Sequence, residues 1–98
     1  MNILHLTLKA KWYDMINCGI KTEEYREIKD YWFKRLVWNP WEGEYYSKKY
    51  DRVVFHFGYT NRTMMFEITS ITFDTGKVEW GAEKGKLYFV IKLGRRLG

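Results

Sequence analysis

The chain has 98 residues and a mass of 12.0 kDa, with 17 Lys and Arg against 12 Asp and Glu, a net charge of +5. This size and an apolar content of 46% fit one domain over residues 1–98 with one core, and exclude a disordered chain or a two-domain catalytic crevice. No apolar run approaches the roughly 20 residues of a membrane helix.

The opening MNILHLTLKAKW alternates in polarity and lacks the basic, apolar and small-residue regions of a signal peptide. The lone Cys18 can form no internal disulfide, in keeping with a reducing compartment. A cytoplasmic location is therefore expected. A pI near 9.3 points to an anionic partner, nucleic acid before membrane, because no long basic amphipathic helix is visible. The 5 Trp, 8 Tyr and 6 Phe supply more flat surface than a small core needs, and some are expected at a wet boundary or a ligand site.

From Ile3 to Lys9 the chain alternates, with Leu4, Leu6 and Leu8 on one face, as in a half-buried strand. Ala10–Cys18 changes to a helical period, Trp12, Met15 and Ile16 sharing a face, and Gly19 is placed to end the helix in the left-handed conformation. A second helix is expected from Lys29 to Val37, on Ile28, Trp32 and Leu36 spaced four apart. Asn39, Pro40 and Gly43 break it.

Arg52–Phe57 reads as a strand with Val53, Phe55 and Phe57 on one side, and Gly58–Arg62 as a turn. Thr63–Asp74 reads as a long strand in which Met64, Phe66 and Ile68 hold one phase and Ile71 and Phe73 the other. An extra residue near Thr69 and Ser70 would turn both sets inward, which is what a bulge does. Thr75 and Gly76 offer a hairpin turn into Lys77–Trp80, and Gly81–Gly85 another loop. Lys86–Leu93, apolar on most of both faces, belongs near the sheet centre. About five or six strands and two helices, with the helices early and the strands late, indicate an α+β fold with a strongly bent or barrel-like sheet.

Charge is densest in GIKTEEYR, where Lys21, Glu23, Glu24 and Arg26 fall within six residues. If the segment is extended, Thr22, Glu24 and Arg26 share a face and Glu24 pairs with Arg26. If it is helical, Lys21, Glu24 and Tyr25 come together instead. A solvated salt-bridged connection is the plainest reading of such a run. As a ligand site, Arg26 would fork to a phosphate or carbonyl, Lys21 would supply a point charge, and Glu24 would orient Arg26 or accept from a base amino group.

The stretch Leu6–Arg26, a Leu-x-Leu-Lys strand, a Trp-bearing helix and then Gly19, Lys21, Glu24 and Arg26, resembles the opening of the ASCH domain family. The resemblance implies a PUA-like β-barrel flanked by helices and an RNA-binding or modified-nucleotide-binding module whose motif lines a cleft. Some small members of that family are amidohydrolases that deacylate acetylated cytidine with a Lys, a Thr and a distant Glu. Lys21 matches the Lys. Glu24 stands where those enzymes have the Thr, and their distant Glu has no counterpart here. If this chain were an enzyme, Lys21 and Glu24 would be its catalytic residues, with Lys21 lowered in pKa beside Arg26 and Glu24 acting as base or positioner.

Val37–Tyr50 interleaves Trp38, Trp41, Tyr45, Tyr46 and Tyr50 with Lys48 and Lys49, a mixture used to stack single-stranded bases. Trp38, Trp41 and Tyr45 are candidate ligand contacts; the alternative is a cover over the open end of a small barrel. Exposed rings would also suit a protein-interaction or oligomerisation domain. His5 and His56 lie in expected strands with no neighbouring Cys, His or Asp at ligand spacing, so both read as structural, and neither a metal site nor a cofactor is expected. Cys18 is expected to be half-buried.

Overall fold

A computed structural model describes residues 2–38, 46–47 and 50–98, with the backbone alone at residues 38, 46 and 47. The opening strand β1 (Ile3–Leu8) buries Leu4, Leu6 and Leu8 and exposes the residues between them, as strict alternation requires. Helix α1 (Ala10–Asn17) follows, burying Tyr13 and Ile16 with Trp12 and Met15 half-buried. It ends where Gly19, at φ 85°, donates its N–H to the carbonyl of Ile16. Cys18 at this end is exposed rather than half-buried, because it caps the helix beyond its last turn, its thiol donating to the Met15 carbonyl at 3.5 Å.

The charged segment is extended: β2 (Glu23–Glu27) is followed by α2 (Asp30–Leu36), whose Leu36 is fully buried and Trp32 half-buried. Ile28, expected on the same apolar face, precedes the helix and is exposed. A two-residue ladder joins β3 (Val37–Trp38) to β4 (Tyr46–Ser47). Three longer strands complete the chain, β5 (Arg52–Phe57), β6 (Thr63–Thr75) and β7 (Leu87–Arg96).

The α+β architecture is a curled five-stranded sheet in the order β1-β5-β6-β7-β2 with two helices. β1 runs parallel to β5, and the other pairs are antiparallel. β7 is paired on both sides, as its two apolar faces require, but the central place belongs to β6. The bulge expected near Thr69 and Ser70 is present: the β6–β7 register shifts between Phe66 and Ile68 and again between Ile68 and Ser70. Met64 and Phe66 are thereby buried and Ile68 and Ile71 pack at the core margin. Phe73 does not follow them inward; half-exposed, it rests against Phe89 with ring centroids 4.9 Å apart. Lys77–Trp80 forms no strand. Val78–Trp80 is a 3₁₀ turn ending at Gly81, with φ 103°, so β6 and β7 are joined by a structured loop rather than a tight hairpin.

Two apolar clusters result. The larger unites Leu4, Leu6, Val53, Phe55, Met64, Phe89 and Ile91 of the sheet with Tyr13, Ile16 and Leu36 of the helices. Tyr50 packs against it and donates its hydroxyl to the Arg35 carbonyl at 2.7 Å, which makes this ring a cover of the core. The smaller cluster consists of Tyr25, Trp80, Ala82, Tyr88 and Val90.

Candidate ligand-binding cleft

The sheet order leaves β1 and β2 as its two edges, and the curl brings them close enough for the Arg26 guanidinium on β2 to donate to the Thr7 carbonyl on β1 at 3.3 Å. Alternation along β2 sets Glu24 beside Arg26, and the Arg26 Nη2 to Glu24 Oε2 distance is 2.8 Å. The pairing expected for an extended segment is therefore formed. Glu24 is nearly buried, and its other oxygen, Oε1, accepts from the ammonium of Lys21.

Lys21 is the residue whose environment the sequence shows least. It is only 1% exposed, its backbone N–H bonding the Met15 carbonyl at 3.0 Å and its Nζ lying 5.5 Å from the Trp12 ring centroid and 5.4 Å from that of Tyr25. Burial lowers its pKa below the ordinary lysine value, against the opposing pull of the Glu24 carboxylate. Lys21, Glu24 and Arg26 thus form a continuous cation–anion–cation relay running from the interior to the cleft.

The cleft has a volume of about 460 Å³, within the range of roughly 300–1,000 Å³ typical of small-molecule sites. Glu24 and Arg26 line it, together with Trp12, Trp32, Trp80, Tyr25 and Tyr88. Its charged lining is balanced, with Lys9, Arg26 and Lys29 against Glu24, Glu27 and Glu83. The excess positive charge of the chain therefore lies outside the cleft. The Trp32 ring sits 5.0 Å from the Arg26 guanidinium, a cation–π separation. Arg26 Nε is buried with no hydrogen-bond partner among the described residues.

The far wall is fixed by hydrogen bonds that local sequence does not announce. Tyr25 donates its hydroxyl to Glu23 at 2.8 Å and accepts from the backbone N–H of Lys77 at 3.0 Å. Desolvation raises the pKa of that hydroxyl well above the usual phenol value. Tyr88 accepts from the N–H of Glu83 at 2.9 Å. Two glycines allow the loop to close against these rings: a Cβ at Gly76 would lie 2.7 Å from Tyr25 Cζ, and one at Gly81 would lie 2.9 Å from the Trp12 ring. The two tyrosines thereby pin the 76–86 loop, and with it Trp80, to β2 and β7.

Of the residues singled out in the sequence, Glu24 and Arg26 line the cleft, Lys21 lies behind Glu24, and Thr22 is exposed and outside the lining. Trp41 and Tyr45 lie outside the described residues, as does the side chain of Trp38. Sequence reading passed over Trp12, Trp32 and Trp80 as ligand contacts. Trp12 and Trp32 fell on helix faces assigned to the core, and Trp80 gave no signal beyond its ring.

Protein-family models, curated proteins and solved structures contain no match to this chain.

Proposed function

We propose that the protein is a PUA-like, ASCH-like module that binds RNA or a modified nucleotide by taking one base into the cleft between β1 and β2. The observation that carries this reading is the placement of a carboxylate-oriented arginine in a concave site lined by Trp12, Trp32 and Trp80. Rings supply stacking surface worth roughly 1–3 kcal/mol per base. Arg26 supplies planar guanidinium donors, held in place by Glu24, for a base carbonyl. The balanced charge of the cleft suits a neutral base, and the surplus lysines and arginines elsewhere suit the phosphates of a longer strand.

Titration of short single-stranded RNA and of free modified nucleosides, followed by tryptophan fluorescence, tests the reading. The expected result is saturable quenching, an RNA affinity that falls with salt, and a marked loss in Arg26→Lys, which keeps the charge but not the planar donors. An Arg26→Lys variant that binds as the parent does, or a parent that binds neither ligand at low salt, would overturn it.

One observation favours a second reading, an amidohydrolase acting on acylated nucleosides such as acetylcytidine. Lys21, the match to the family's catalytic lysine, is buried with a lowered pKa, as an activated amine requires. It contacts Glu24 rather than the cleft, so its effect on a bound substrate would pass through that carboxylate. The expected result with acetylcytidine is little or no deacetylation. Rapid turnover abolished by Lys21→Ala would put the hydrolase first.

A further inference from the structure

Outside the cleft, the parallel pairing of β1 with β5 does something that sequence spacing conceals. Register sets Leu6 beside Phe55 and Thr7 beside His56, so His5 and His56 are diagonal neighbours on the sheet face turned away from the larger cluster. Although 51 positions apart in the chain, they bring Nδ1 of His5 to 3.0 Å from Nε2 of His56, with the rings tilted by 37°. For metal–nitrogen bonds of about 2.0–2.1 Å, two ligands on one ion stand about 2.9–3.4 Å apart. The observed separation falls in that range.

We propose that His5 and His56 form a two-imidazole chelate for a divalent transition metal such as Zn²⁺, Ni²⁺ or Cu²⁺. Both residues are anchored on hydrogen-bonded strands, which limits their motion to the side chains, and terminal ring torsions are broad and shallow. A small turn of each ring opens the nitrogens toward a shared ion. In the metal-free pair one ring donates an N–H to the other; on binding, that proton moves to the outer nitrogen of the same ring, and each facing nitrogen offers its lone pair in exchange for a metal-bound water. The register partners are Val54 for His5 and Thr7 and Thr63 for His56; Arg52, the other diagonal neighbour of His5, lies on the far side of Val54 from His56 and stands opposite Glu67. His5 is exposed and His56 half-buried, so the remaining coordination positions stay open to water or an external ligand. Imidazole nitrogens suit these ions and not Mg²⁺ or Ca²⁺.

The test is calorimetric titration of untagged protein with Ni²⁺ and with Zn²⁺, comparing the parent with His5→Ala, His56→Ala and Cys18→Ser, each checked by thermal melting. Saturable binding of one ion per chain, unchanged in Cys18→Ser and weakened by about a hundredfold in either histidine variant, is expected from the loss of the second arm of a chelate. Equal binding by the histidine variants, binding lost only in Cys18→Ser, or no saturable binding by the parent would overturn the proposal. Paramagnetic broadening by substoichiometric Cu²⁺ in the parent asks the same question without a substitution. Broadening centred on β1 and β5 supports the chelate, and broadening centred elsewhere refutes it.

Discussion

The two apolar clusters lie on opposite faces of β7, Phe89 and Ile91 entering the larger and Tyr88 and Val90 the smaller, and are built on different rules. The larger is filled by aliphatic and phenyl side chains that alternate along β1, β5, β6 and β7, and almost nothing in it needs a hydrogen bond. The smaller, Tyr25, Trp80, Ala82, Tyr88 and Val90, is aromatic with polar ends, and its hydroxyls are spent on holding the backbone of the 76–86 loop. Beside it lies the relay of Lys21, Glu24 and Arg26, buried at Lys21 and Glu24 and reaching the cleft at Arg26. One region supplies stability through area and shape. The other gives up some of that simplicity to fix the position of rings and charges around a cleft, because a buried polar group tolerates few alternative arrangements once its partners are set.

The difference can be broken first at its stable end. Phe55→Ala removes a fully buried ring and is expected to cost about 3–5 kcal/mol, much of the total for a domain of this size. A chemical denaturation midpoint measures it. Glu24→Ala is expected to cost about 3 kcal/mol, because it leaves the Lys21 ammonium buried without its counterion. The combination Lys21→Met with Glu24→Leu should recover most of that loss while abolishing ligand binding, since a buried pair replaced by apolar groups of similar volume is often no less stable. A double variant as unstable as Glu24→Ala would show that shape, and not charge, governs this region.

Smaller effects sharpen the contrast. Tyr25→Phe leaves the Lys77 N–H without its acceptor and should lose about 0.5–1.5 kcal/mol. Faster amide exchange at Lys77 but not in β5 would localise the change to the loop. The pH dependence is the subtlest expectation. Lys21 has a lowered pKa in the folded state, so between that value and the ordinary lysine value near 10.4 the unfolded chain binds more protons, and stability rises with pH. Tyr25 acts oppositely: its pKa is raised on folding, so above about pH 10, where the unfolded tyrosine ionises and the folded one does not, stability falls. Melting temperatures across the alkaline range should pass through a maximum, and Lys21→Met should remove the rising limb.

How much of this was legible in the sequence varies with the range of the interaction. Leu4, Leu6 and Leu8 announce β1, the phase change between Ile68 and Ile71 announces the bulge, and Gly19 announces the end of α1. Each is a property of residues close in the chain, where backbone geometry and side-chain period act directly. The Glu24–Arg26 pair is legible for the same reason, being two residues apart on a strand. Phe73 keeps the phase of Ile71, opposite Phe89 in the ladder, yet stays half-exposed because the core stops before the strand does.

What the sequence determined by itself is therefore β1, β5, β6 and β7 with the two helices, the α+β class and the neighbouring charges of the motif. The tertiary structure alone decided that Lys21 would be buried, that Trp12, Trp32 and Trp80 from three separate segments would line one cleft, that Tyr25 would reach Lys77, and that His5 would meet His56. The reason is physical: periodicity states which face of an element is apolar, but the partner of that face is chosen by sheet order and register, and strands far apart in sequence become neighbours only when the chain closes its sheet.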